Sequence, residues 1–332
     1  MRARLYVAIL NYDQPQLTLD CLRTAVPDAQ QVEGGCRIGV CDNGSEGDSV
    51  QILRDAIESE GWGEVVELSA VHPNRGFTGG NNVLLRPVME GADPPDYVLL
   101  LNNDTLVRPG AMQALVSFMD AHPKVGIGGS RLEDPDGTPQ VGAFRFYSAL
   151  AAIEEGMRCG PVTRALSSWA TVPEQRDEPG EVDWVPGASM IIRRAVVEAV
   201  GLLDEAFYTY YDDIDYCWNA RRAGWPTWYV PESRVVHLGG MTTGVNEAGK
   251  QAKRRPSYWF DARRRFLTKN YGPVRALWID FCYGTAMLAG DAVAAARGRG
   301  AGRPERFVRD FWRYSTWARG TRPEPVKNPA MG

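Results

Sequence analysis

Four short apolar runs, Leu5–Leu10, Cys36–Cys41, Val65–Ser69 and Tyr97–Leu101, alternate with segments of helical spacing, and no other feature narrows the fold as far. Gln16–Thr24 reads as a helix closed by Pro27, Asp48–Ser59 as a helix opened by Asp48, and Asn81–Met89 as a third. Strands alternating with helices predict an α/β fold, a mostly parallel sheet with helices on both faces. Tyr97-Val-Leu-Leu-Leu is apolar throughout, which suits the buried centre of such a sheet. Ligands of these sheets bind beyond the carboxyl ends of the strands, where the strand order reverses. The residues after Leu10, after Cys41 and after Leu101 are therefore the first candidates for a site.

The remainder is less regular. Residues 131–182, rich in Pro, Gly and charge, read as loops that could order over a ligand. Val182–Ile192 reads as a strand pair broken at Gly187-Ala188, Arg194–Val200 as a helix ended by Gly201, and Asp212–Ala223 as a helix ended by Gly224. Thr227–Val230 and Arg234–His237 read as two short strands, and the chain turns helical from about 255, with a break at 272–273. The longest apolar stretch, Val274–Ala296, is interrupted by Arg275, Asp280 and Asp291, so it does not read as a membrane span. The run after Arg2 and Arg4 is too short for a signal-peptide core. Six scattered cysteines form no C-x-x-C pair, which excludes the usual zinc and redox motifs and fits a reducing cytoplasm.

Charge is unevenly placed. Residues 251–332 carry 17 Lys and Arg against 6 Asp and Glu, although the whole chain has a net charge of −4. Trp259, Trp278, Trp312 and Trp317 lie among these arginines. A basic, Trp-bearing segment suits an anionic membrane surface or an anionic lipid-linked substrate. A helical cap with solvated arginines, docked on an acidic body, accounts for it equally well.

Each candidate strand end is polar. Asn11-Tyr-Asp follows the first, Asp42-Asn-Gly-Ser the second and Asn102-Asn103-Asp104-Thr the fourth. A carboxylate at the end of a buried strand is costly unless it meets a cation or hydrogen-bond donors. Either Asp42 or Asp104 alone is as well explained as a helix cap; two at neighbouring strand ends favour a ligand. There is no G-x-G-x-x-G after the first strand and no G-x-x-x-x-G-K-[ST], so a Rossmann dehydrogenase and a P-loop NTPase are poorly supported. Asn74-Arg-Gly-Phe-Thr-Gly-Gly-Asn-Asn82 reads as a glycine-rich loop, ordinary in itself, leading to a helix whose N-terminus favours anions. Asp212, Asp213 and Asp215 crowd one helix start among aromatic residues, which would raise a carboxylate's basicity; the helix dipole alone also favours acids there. His237 ends an apolar strand, a place where a lone histidine is more often structural.

Taken in order, Val7–Asn11, Asp42-Asn-Gly-Ser45, Asn74–Asn82, Leu100-Leu-Asn-Asn-Asp104-Thr, Trp184-Val-Pro-Gly187-Ala188, Tyr211-Asp-Asp213-Ile-Asp215 and His237 resemble family 2 glycosyltransferases over about residues 5–240. The subgroup is that of bacterial rhamnosyltransferases and galactofuranosyltransferases. The resemblance implies a GT-A fold: a domain over 1–240, with a donor half at about 1–105 and an acceptor half at about 106–240, then a basic helical extension over 241–332. It implies inverting transfer of a sugar from a nucleoside diphosphate to a glycan or polyprenyl-diphosphate-linked acceptor in cell-surface polysaccharide synthesis, with no nucleic acid as partner. L-rhamnose from dTDP-rhamnose is the donor it points to, and a UDP-sugar such as galactofuranose or glucose is the alternative. By the same likeness Asp213 is the catalytic base. Asn11 and Asp42 meet the donor's base, and Asn74, Gly76, Asn81, Asn103 and Asp104 line the rest of the donor. Asp104 and His237 hold Mg²⁺ or Mn²⁺, and Trp184, Gly187, Ala188 and Asp212 border the acceptor. Two of the three D-x-D positions are asparagine here, leaving Asp104 as the sole carboxylate. The expected place is the cytoplasm, peripheral on the inner membrane face.

Two other classes are weaker. A sugar-1-phosphate nucleotidyltransferase wants a basic glycine-rich loop after the first strand, and Asn11–Gln16 has no Lys or Arg. A non-catalytic sugar-binding descendant predicts loss of metal or base residues, yet Asp104, Asp213 and His237 are all present.

Overall fold

A computed structural model describes residues 3–239, 254–300 and 302–327. By contacts the chain divides into two units. The first is formed by Met1–Ala143, Arg176–Glu205 and Asp212–Thr242, and the second by Phe144–Gln175, Ala206–Tyr211 and Thr243–Gly332. This division differs from a single break at 240, because two internal segments join the C-terminal helices. Position 240 itself begins a stretch, 240–253, that lies outside the described residues.

The first unit holds one sheet. Its strands are β1 (Leu5–Asn11), β2 (Cys36–Asn43), β3 (Val66–Val71), β4 (Tyr97–Asn102), β5 (Thr105–Val107), β6 (Ile127–Glu133), β7 (Gly180–Val182), β8 (Ser189–Arg193) and β9 (Thr227–His237). The order is β3-β2-β1-β4-β8-β6-β9-β5, with β7 also on β9. β1 to β4 are mutually parallel, as are β6 and β9, whereas β8, β5 and β7 join antiparallel. The mostly parallel α/β sheet expected from the alternation is present. The chain lays β2 and β3 on one side of β1 and then places β4 on the other, so the order reverses between β1 and β4. Helices α1 (Pro15–Ala29), α2 (Ser49–Ser59), α3 (Gly76–Met89) and α4 (Ala111–Ala121) connect these strands. Strand residues such as Val7, Ile9, Ile38, Val40, Leu99 and Leu101 are buried with Leu22, Leu53 and Leu115 from the helices in one core.

Several expected boundaries move, each for a physical reason. α1 continues past Pro27, because Asp28 accepts hydrogen bonds from the Gly110 and Met112 amides and holds the last turn in place. α3 starts at Gly76, so the glycine-rich stretch is helix and not loop. The Asn43 and Asn74 side-chain carbonyls accept from the Arg75 (3.0 Å) and Gly76 (2.7 Å) amides and stand in for a cap. β7 and β8 do not pair with each other; they pair with β9 and with β4 and β6. The two expected strands at 227–237 are one, β9, interrupted where its pairing with β6 jumps from Val230 to Arg234. The Ser233 hydroxyl, buried against that of Ser130 at 2.7 Å, keeps the irregular stretch attached to the sheet.

Gly129 on β6 sets the level of the segment leading to β8. A Cβ built there would stand 2.5 Å from the Cβ of Val185, a buried β-branched side chain with little rotamer freedom. Gly129→Ala is therefore expected to destabilise the protein by about 1–3 kcal/mol. A thermal melt unchanged from the parent would show that the segment yields at no cost.

In the second unit, α5 (Ala149–Met157) and α6 (Gly160–Ala165) belong with α9 (Ser257–Tyr271), α10 (Pro273–Ala296), α11 (Phe307–Tyr314) and α12 (Thr316–Arg319). The first unit's later helices are α7 (Arg194–Val200) and α8 (Asp212–Arg222). Two helices therefore stand within the 131–182 stretch expected to be loops. The Ser148 hydroxyl caps α5 by accepting from Ala151 N at 3.0 Å. α5 and α10 meet where Gly156 faces Ala286; a Cβ on Gly156 would come within 2.7 Å of the alanine methyl. Asp280, fully buried on α10, is satisfied by the Arg263 guanidinium and by the amide and hydroxyl of Thr316, both at 2.7 Å.

Candidate active site

The strand ends deliver polar side chains to the carboxyl edge of the sheet at the place where its order reverses. Asn11 is level with Asp42 in the β1–β2 register, and Leu10 is level with Asn102 in β1–β4. Asn11 donates through Nδ2 to Asp42 Oδ2 (2.7 Å) and accepts from the Thr18 hydroxyl at Oδ1 (2.8 Å). The Ser49 hydroxyl donates to Asp42 Oδ2 (2.9 Å), and the Ser45 amide to Asp42 Oδ1 (3.1 Å). Asn103 Nδ2 donates to Thr18 Oγ1 (3.1 Å), which ties the β4 end into the same network. Asn11, Asp42 and Asn103 are thus brought together. Thr18 and Ser49, which join them, were missed in the sequence: each is a common residue inside a helix with no motif around it.

The neighbouring turn is built by Asn43 and Asn74. Asn43 Nδ2 donates to Asn74 Oδ1 (3.1 Å) and to the Gly76 carbonyl (3.0 Å). Gly44, at φ 83°, passes so close to the backbone of Asn74 that a Cβ would lie 2.6 Å from its amide nitrogen. Asn74 and Gly76 are accordingly held beside β2. Asn81 is placed differently: buried, it donates to the Phe77 carbonyl one turn back in α3 (2.8 Å). Asn82, not singled out in the sequence, fixes the 203–205 segment by bonds to both backbone groups of Leu203 and to Glu205.

Beyond β4, Asp104 is 4% exposed, and its Oδ1 is buried with no hydrogen-bond donor among the described residues. A cation-capable group, His237 Nε2, stands 3.5 Å from it. β5 and β9 bring the two residues together, pairing Thr105 with His237, and Leu238 N donates to the Asp104 carbonyl (2.9 Å). A buried carboxylate oxygen left without a proton donor, facing an imidazole, fits a hard divalent cation completed by ligand and water oxygens. No group of three or more His, Cys, Asp or Glu that would form a fully protein-made metal site occurs among the described residues.

Asp213 is the second residue of α8, which starts directly after two successive non-glycine residues in the left-handed region, Tyr210 (φ 67°) and Tyr211 (φ 62°). Such backbone costs about 1–3 kcal/mol per residue and gathers at functional positions. Asp213 Oδ1 accepts from the Ile214 amide (2.8 Å) and Oδ2 from the Gly187 amide (3.4 Å). Burial pushes its carboxyl up to about 6, against the backbone donors that lower it. Asp212 is buried too, and its carboxyl is raised well above its ordinary value, by desolvation first and then by the charge of Asp213. Two buried carboxyls side by side titrate as a coupled pair, and both are held above their ordinary values. Asp215, also buried, bonds Asn219 Nδ2 (3.0 Å) on its own helix. Trp184 and Ala188 are buried; the Ala188 carbonyl accepts from the Asn102 amide (3.0 Å), so the 184–188 segment is tied to the β4 end as well as to Asp213.

A family model described as glycosyltransferase like family 2 matches residues 3–265. The N-acetylglucosaminyl-diphospho-decaprenol L-rhamnosyltransferase of Mycobacterium tuberculosis is 33% identical over 175 residues, covering 51% of this chain and 56% of that protein. The chain spans about half the length of the curated relatives it matches. Among solved structures, GalNAc-T7 with UDP, GalNAc and Mn²⁺ superposes with a TM-score of 0.59 at 14% identity, over 94% of this chain and 55% of that one. The mannosyltransferase PcManGT from Pyrobaculum calidifontis, in complex with GDP-Man and Mn²⁺, gives 0.52 at 15% identity over 97% and 84%. The fold is that of the GT-A glycosyltransferases.

Proposed function

We propose that this chain, which belongs to glycosyltransferase-like family 2, moves a sugar with inversion from a nucleoside diphosphate to a hydroxyl of a glycan or lipid-linked acceptor in bacterial surface-polysaccharide assembly. The observation that carries this reading is the pairing of the donorless Asp104 Oδ1 with His237 at the carboxyl edge of the sheet. Together these two residues would hold the divalent ion. Such an ion, when bound, stabilises the charge that develops on a departing diphosphate. The Mn²⁺ in two structural neighbours and the imidazole ligand favour Mn²⁺ over Mg²⁺.

The remaining roles follow the same edge. Asp42, oriented by Asn11 and Ser49, meets the base of the donor through Oδ1. Asn74, Gly76, Asn81 and Asn103 line the donor, and Trp184, Gly187, Ala188 and Asp212 the acceptor. The acceptor oxygen forms its bond to the anomeric carbon as the bond to the diphosphate oxygen breaks on the opposite face. Its proton passes to the Asp213 carboxylate, and no enzyme nucleophile is required. A rhamnosyltransferase relative whose name carries a diphospho-decaprenol supports dTDP-rhamnose as donor and a polyprenyl-diphosphate-linked glycan as acceptor. UDP-sugars remain the competing donors. The basic segment 251–332 then meets the anionic inner face of the membrane where such an acceptor resides; no helix among the described residues is long and apolar enough to cross a membrane.

Calorimetric titration of dTDP, UDP and GDP, each with and without Mn²⁺, tests the reading. Metal-dependent binding of a pyrimidine nucleotide is the expected result. Binding of none of the three in the presence of metal would overturn it.

A further inference from the structure

Of the charges that interrupt the apolar run of α10 in the sequence, Arg275 is exposed, whereas both carboxylates are engaged within the protein. Asp280 is buried on Arg263 and Thr316, and Asp291 pairs with Arg303 at 2.6 Å. From Val274 to Ala296 the exposed positions are 274, 275, 278, 281, 285, 288, 289, 292, 295 and 296, and only Arg275, at the very start, is charged. Beyond Arg275, the exposed residues from Trp278 to Ala296 form an uncharged stripe about 27 Å long on one side of the helix, at 1.5 Å per residue. The large apolar side chains on this side run from Val274 to Leu288: Val274 is 80% exposed, Trp278 57%, Phe281 43% and Leu288 52%. Trp317 of α12 widens it, 57% exposed, with its indole N–H donating to the Leu277 carbonyl (3.1 Å) and its ring 6.3 Å from Phe281, which in turn stacks on Trp278.

We infer that this face of α10, with Trp317, lies in the headgroup region of an anionic bilayer, parallel to its plane. The inference rests on the reading that the basic segment meets a membrane, and names the surface that does so. Exposed Arg275 and Arg297 stand at the two ends of α10, Arg299 follows two residues on and Arg319 lies two residues from Trp317, so cationic groups are at hand for phosphates beside a helix sunk to that depth. Tryptophan is the residue type suited to that boundary, with an apolar ring and one polar donor. A second copy of the chain is the less suitable occupant. Antiparallel pairing of α10 sets Arg275 against Arg297, and parallel pairing sets each arginine against itself, so both place like charges together. The alanines at 289, 292, 295 and 296 also offer no large knobs for helix packing.

Co-sedimentation of the full chain with phosphatidylcholine vesicles, with and without phosphatidylglycerol, tests this. The parent should pellet with the anionic vesicles, and the triple variant Trp278→Ser/Phe281→Ser/Trp317→Ser should partition about tenfold more weakly or worse. Ala292→Glu/Ala296→Glu, which removes no packing, should weaken binding in the same direction. Trp169→Ser, a change at another exposed tryptophan, should not. If the parent ignores anionic vesicles, the membrane reading itself fails. If the parent binds and both face variants bind as well as it does, this surface is the wrong one. A concentration-dependent dimer that the triple variant abolishes would assign the face to a second copy instead.

Discussion

Asp213→Asn is expected to slow sugar transfer by about 10²–10⁴-fold, the usual worth of a general base, and to leave nucleotide affinity unchanged. The substitution is nearly isosteric. The amide can keep the acceptor oxygen that receives the Ile214 N–H, and forfeits only the longer contact to Gly187 N. What it cannot do is take a proton. The pH profile gives a second readout. Burial raises the Asp213 carboxyl to about 6, so the ionised, active form dominates above that value and is lost below it. The parent's transfer rate should therefore fall tenfold per unit as pH drops beneath about 6, and the acidic limb should be missing from the residual activity of Asp213→Asn. Asp212→Asn should keep the limb, because it leaves the Asp213 carboxylate and its Ile214 and Gly187 amide donors in place. Should Asp213→Asn damage donor binding as much as turnover, Asp213 is a cap of α8 and the base lies elsewhere.

What the sequence made legible was whatever depended on a strand end. Asn11, Asp42 and Asp104 were visible because each directly follows an apolar run, and the sheet places those ends on one edge where its order turns back on itself. Tertiary partners decided the rest. Glycine is a poor helix former, so Gly76, Gly79 and Gly80 read as a loop. They are helical because Asn43, more than 30 residues upstream, and Asn74 supply the missing N-terminal acceptors, and because α3 packs so closely on Leu10 that a side chain on Gly80 would collide with it. Pro27 was read as a stop because nothing local shows that Gly110 and Met112 bind the residue after it. In the second unit the helices from 257 onward and their break at 272 were legible, but their packing was not, for a similar reason. Its central seam joins Gly156 to Ala286 and Gly290, small residues far apart in the chain whose meaning appears only when two helix backbones touch. The charge of 251–332 could be counted, but the apolar face of α10 could not be separated from its core until Asp280 was seen buried on Arg263 and Asp291 paired with Arg303.

Asp104→Ala and His237→Ala are each expected to abolish the gain that Mn²⁺ gives to nucleotide binding, a loss of about tenfold or more, ~1.4 kcal/mol or above, read by calorimetry with and without the metal. The expectation separates a metal site from a structural contact, because the two make opposite demands on the same atoms. Were Asp104 structural, its Oδ1 would have a protein donor, and its removal would appear in the melting temperature. Instead that oxygen is buried without one among the described residues, and the imidazole opposite it, at 3.5 Å, stands farther off than a good hydrogen bond. An alanine at 104 takes away a buried polar atom that the protein alone does not satisfy, so thermal stability in metal-free buffer should hold or rise while the metal-dependent increment disappears. Asp104→Asn should fall between the two, keeping a carbonyl ligand but losing the charge. If the melting temperature collapses while Mn²⁺ still tightens nucleotide binding in both alanine variants, the cation sits on other residues, and the meeting of β5 and β9 at Thr105 and His237 serves the sheet and not the donor.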